Sequence, residues 1–130
     1  MQTSKDNSLK SSTTTAKSKA NKIATLKSSQ LMELIQDQLT DIYWTENALI
    51  KAMPGMVKNA NSKDLITALK IHLEETKEQA RRLKEVFSII EVDEVEAQGK
   101  KCDAMDGLLQ KASDINKSSE NDVLYDAEII

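Results

Sequence analysis

Between residues 32 and 56 the apolar side chains fall at Met32, Ile35, Leu39, Ile42, Leu49, Met53 and Met56, in steps of three and four broken by one step of seven. A strand would alternate every second residue, so this spacing predicts a helix packed along a narrow seam. A second segment carries Leu65, Leu69, Leu83, Val86 and Ile90 on the same three-four count, with His72, Thr76 and Gln79 at the seam positions between them. Three Gly, one Pro and 3% aromatic residues argue against a β-sandwich or barrel, which needs turn residues at short intervals. The expected class is all-α.

Ser28 or Ser29 can cap the first helix, which is expected to run to about Asn59, with Pro54 kinking it or ending it early. Residues 59–62 read as a loop, and Ser62 as the N-cap of a second helix ending near Val92. So short a connection makes the two helices antiparallel neighbours. Residues 93–101 read as a surface crossover, 103–115 as a short helix and 116–121 as a polar loop. Residues 122–130 look like the opening turns of a third long helix. The expected organisation is a basic tail over 1–28 and a helical domain over 29–130, incomplete at its C-terminus.

Residues 1–28 contain six Lys, one Asp, many Ser and Thr and few apolar groups. They cannot bury enough surface to offset their ordering entropy and are expected to be disordered. This arm carries +5 and the remainder −8, within a net charge of −3. Six lysines without Arg or aromatics give only a weak nucleic-acid footprint. No apolar run approaches the ~18 residues that span a bilayer. Cys102 is the one cysteine, which suits a reducing compartment, and the N-terminus lacks an apolar signal core, so a cytoplasmic protein is expected. Gly-rich phosphate loops, Ser/His/Asp spacings and Cys pairs are absent from the sequence, so several common enzyme classes find no support.

The step of seven in the first seam is filled by Glu46, where a Leu would be expected. The second helix likewise turns polar at its middle, and Glu75 lies within ~60° of His72 on the helical wheel. Both centres fall about 15–20 Å from the turn, at nearly equal height. Burying an unpaired carboxylate costs several kcal/mol, so a core Glu must be protonated, hydrogen-bonded, ion-paired or metal-bound. Carboxylate and imidazole on facing helices are the ligand set of di-iron bundles, and O/N donors suit iron or manganese. A hydrogen-bonded Glu–His pair without metal satisfies the same requirement. Glu74, Glu78, Arg81, Arg82 and Glu85 read as a solvated face with i,i+4 pairs. Tyr43 and Trp44 read as packing at a helix or subunit contact, and Cys102 as structural.

Residues 31–56 (LMELIQDQLTDIYWTENALIKAMPGM), 72–76 (HLEET) and 99–108 (GKKCDAMDGL) resemble the YciE/YciF family of bacterial ferritin-like proteins, over residues 30–130. The resemblance implies a four-helix ferritin-like bundle, dimeric and linked to stress responses, with no established reaction. It supports Glu46, His72 and Glu75 as metal ligands, with Glu78 and Gln79 as lesser candidates. Ferritin-like second helices offer Glu-x-x-His, whereas the order here is His72-x-x-Glu75. Family members also continue through a third and fourth long helix, so the expectation is either a truncated product or a homodimer that rebuilds four helices.

Three functional readings follow. The first is a stress-associated ferritin-like protein holding a di-iron or manganese centre. The second is a non-catalytic scaffold whose polar seam fixes helix register. A third, weaker one makes the lysine arm a DNA tether.

Overall fold

The computed structural model describes residues 7–98, 100–118 and 121–130. Residues 1–6 of the expected tail, Gly99 of the crossover and residues 119–120 of the second loop lie outside the described residues. Among the described residues five helices follow in order: α1 Asn7–Asn59, α2 Lys63–Ile89, α3 Glu94–Gln98, α4 Asp103–Ser118 and α5 Asp122–Ile129. The fold is all-α, with no strand among the described residues.

The chain divides into two units, Met1–Asp37 and Gln38–Ile130. In the first, α1 already begins at Asn7, where the composition predicts a disordered arm reaching Ser28. The physical reason is that residues 7–28 contain neither Gly nor Pro, so nothing interrupts the backbone hydrogen bonds. Residues 15–35 are exposed, and large apolar groups such as Ile23, Leu26, Leu31 and Leu34 stand in solvent. The helix there rests on its own backbone bonds.

In the second unit α1 continues through Pro54 to Asn59, and the early end expected at the proline does not occur. Ser62 caps α2 as its sequence position suggests, its hydroxyl accepting the Leu65 N–H at 3.4 Å. α2 stops because Glu91 turns left-handed, at φ 58°. The Val92 N–H then returns to the Phe87 carbonyl at 3.0 Å, closing the last turn. Within the expected crossover lies α3, whose Ala97 is fully buried.

The core forms around Tyr43, Phe87 and Ala97, flanked by Leu39, Leu83, Ile90 and Val92. The Tyr43 and Phe87 rings meet edge to face, centroids 5.3 Å apart at 78°. Tyr43, expected beside the seam, is therefore its centre. On α2 the inward positions are Leu73, Thr76, Ala80, Leu83 and Phe87, again in steps of three and four. This stripe is rotated by one residue from the one the sequence suggests for part of its length. The cause is geometric: two helices touch along the line between them, whereas the central face of a bundle lies to one side of that line.

Candidate functional site

The rotation decides the fate of the polar centre. Ile42 and Glu46 on α1, with Gln79, Arg82, Leu83 and Val86 on α2, line an open groove of about 320 Å³. These α1 and α2 residues lie at comparable distances on either side of the short turn between the helices, so the two run antiparallel. Ile42 is 46% exposed, so the stripe expected to be the packed seam is the floor and wall of this groove.

Glu46 is half-buried. Burial pushes its carboxyl above the ordinary range, and the His72 charge pulls in the opposite direction. His72 is itself exposed, and Gln79 and Arg82 are the polar α2 residues lining the groove with Glu46. Glu75 is exposed too, one turn beyond His72. The expectation that these side chains are sheltered from water holds in part for Glu46 and not for His72 or Glu75.

Thr76, also a polar seam residue, is fully buried, and its hydroxyl donates to the His72 carbonyl at 2.7 Å. This back-bond satisfies the hydroxyl inside the helix. Glu78 is occupied elsewhere: Arg81 holds it by Nε at 2.9 Å and Nη2 at 2.7 Å, lowering its carboxyl to about 2. Arg81 also bonds Glu85, and Lys77 pairs with Glu74 at 2.8 Å. These charges form the solvated face read from the sequence.

Iron or manganese needs several O/N donors around one point. Among the described residues no group of three or more His, Cys, Asp or Glu is arranged to hold a metal ion. Glu46 and His72 have the right donor chemistry, but the described residues of one chain do not complete a centre. Cys102 is a half-buried free thiol, and neighbouring Lys101 is paired with Asp106 at 2.7 Å.

Two polar clusters have no signature in the sequence. The Tyr43 hydroxyl donates to Glu94 Oε1 at 3.0 Å, where Lys84 at 3.0 Å and Gln98 at 3.1 Å converge. Lys84, then Tyr43, hold the Glu94 carboxyl below its usual range. On α5, Asp126 accepts the backbone N–H groups of Asn61 and Ser62 at 2.9 and 2.7 Å. The contacts of Tyr43 with Glu94 and of Asp126 with Asn61 and Ser62 join residues more than fifty apart, so no local motif announces them.

A sequence profile described as a domain of unknown function (DUF892) matches residues 30–130. Protein YciF of Escherichia coli (strain K12) is 30% identical over 92 residues, 71% of this chain and 54% of YciF. A solved structure, YcfI from Rhodopseudomonas palustris, provisionally described as a structural protein, is 36% identical with a TM-score of 0.63. The match covers 70% of this chain and 56% of that one. The chain thus spans about half the length of either relative.

Proposed function

Because the chain belongs to the YciE/YciF family, whose shared domain is DUF892, we propose that it is a stress-associated, ferritin-like protein that contributes part of a metal centre. The observation that carries this reading is Glu46: a half-buried carboxylate in a largely apolar groove, its carboxyl raised by that burial and pulled back by the His72 charge. Such a carboxylate is destabilising unless a cation, a proton or a polar partner accompanies it.

One chain supplies Glu46 and His72, with Glu75 as the third donor, and the remaining ligands come from a second copy. A symmetric homodimer presents each set twice. Iron or manganese bound there would supply the redox and Lewis-acid chemistry of ferritin-like centres. Glu46, His72 and Glu75 would hold the ion, and Ile42, Leu83 and Val86, which line the groove with Glu46, would limit water on that side. Manganese titration by calorimetry, together with the solution mass, tests this. Saturable binding by a dimer, lost in Glu46→Ala, supports it. A monomer that takes up neither manganese nor ferrous iron overturns it.

The scaffold reading is favoured by a different observation, the lack of a three-donor group among the described residues. It also agrees with the description of the solved relative. Under it, replacing Glu46 by Leu stabilises the helix pair, because the groove gains apolar surface.

A further inference from the structure

On the other side of α1 a second cavity, of about 510 Å³, opens between Trp44, Asn47, Ala48 and Lys51 of α1, Gln98 at the end of α3, and α4. The four α1 residues recur at i, i+3, i+4 and i+7, so they form one continuous stripe. The volume is that of a small-molecule site. Its floor is apolar, from the Trp44 indole and Ala48.

The polar groups around that floor have unused capacity. The Trp44 indole N–H and the Lys51 ammonium have no hydrogen-bond or ionic partner among the described residues. Asn47 spends its amide N–H on the Tyr43 carbonyl at 2.9 Å, and Gln98 spends its own on Glu94 and the Tyr43 hydroxyl. Both therefore keep an amide oxygen free to accept. Asp106, on the α4 wall, is neutralised by Lys101 at 2.7 Å, which leaves Lys51 as the uncompensated charge. An ammonium at the cavity wall with no carboxylate partner is the group that an anionic ligand would meet there, by a charge-assisted hydrogen bond.

We propose that this cavity binds a planar, anionic small molecule of the nucleoside monophosphate class. The ring stacks on Trp44, amino hydrogens of the base reach the Asn47 and Gln98 oxygens, and the phosphate meets Lys51. Seven residues separate Trp44 from Lys51, about 10 Å along the helix. A ring and a charge held that far apart suit a mononucleotide better than a simple aromatic acid. The metal reading plays no part in this assignment, which concerns a different face of α1.

Trp44 is the chain's one tryptophan, so its emission reports the site directly. AMP titrated into the full chain is expected to quench it saturably, with adenosine binding about tenfold more weakly for want of the phosphate. Lys51→Gln, on an exposed side chain, is expected to weaken AMP about tenfold and leave adenosine unchanged. Ala48→Leu, which fills the floor, is expected to weaken both. Inorganic phosphate should produce no quench, since it cannot stack. The proposal is overturned if millimolar AMP gives no saturable change, if Lys51→Gln binds AMP as tightly as the parent, or if phosphate alone reproduces the signal.

Discussion

Ser62 donates its backbone N–H to Asp126 Oδ2 at 2.7 Å, so a carboxylate on α5 holds the N-terminus of α2. The other Asp126 oxygen accepts the Asn61 N–H at 2.9 Å, and the Asn61 side chain reaches the Asp122 carbonyl at 3.2 Å. The first-turn amides of a helix lack intrahelical acceptors and favour negative charge. α5 is thereby registered on the turn between α1 and α2.

Asp126→Ala should loosen this junction. The Asn61 N–H, then the Ser62 N–H, hold the Asp126 carboxyl below its usual range. Its stabilising effect is therefore present above the unfolded value of 3.8 and is lost as pH falls through the lower folded value. Amide exchange at Asn61 and Ser62 is expected to accelerate about tenfold in the variant at neutral pH. In acid the parent should come to resemble it.

The Tyr43–Phe87 contact is the centre of the core, and Phe87 is 2% exposed. Phe87→Ala is expected to cost about 3–5 kcal/mol of unfolding free energy in urea. Tyr43→Phe, which keeps the ring and loses the hydroxyl's bond to Glu94 and the longer one from Gln98, should cost about 1 kcal/mol.

Glu91 adopts φ 58° just past the end of α2, a conformation unfavourable for residues bearing a Cβ. Glu91→Gly should therefore stabilise the chain by up to about 1 kcal/mol, read as a higher midpoint in thermal denaturation. Glycine substituted at exposed Glu85, inside α2, should do the reverse.

The helix pair, the Ser62 cap and the short α4 were legible because each is written in local spacing: period, cap residue, breaker. The face of contact was less so. Leu39, Ile42, Glu46 and Leu49 fix which side of α1 is apolar, but the same stripe can face a partner helix or the centre of a larger bundle. Tyr43 settled that choice by filling the space against Phe87 and Ala97, contacts between residues far apart in sequence. Glu46 was legible as an anomaly for the same reason that Ile42 was, whereas the exposure of His72 and Glu75 depended on a rotation that spacing does not encode. The Glu94 and Asp126 clusters lay beyond sequence reasoning altogether.

Burial holds Glu46 above its ordinary value, so the folded chain binds that proton more tightly than the unfolded chain does. Ionised Glu46 therefore opposes folding, an effect absent below the ordinary 4.5 and growing as pH rises to the folded value. Glu46→Gln should raise the metal-free midpoint at about pH 7 and leave it unchanged near about pH 3, measured by circular dichroism.

A cation in the groove would reverse that penalty, which makes thermal unfolding with and without manganese the most direct measurement. The metal is expected to raise the midpoint of the parent chain and to leave Glu46→Ala and His72→Ala where they were. A parent midpoint that is identical with and without manganese, at concentrations well above any specific site's need, would contradict the account.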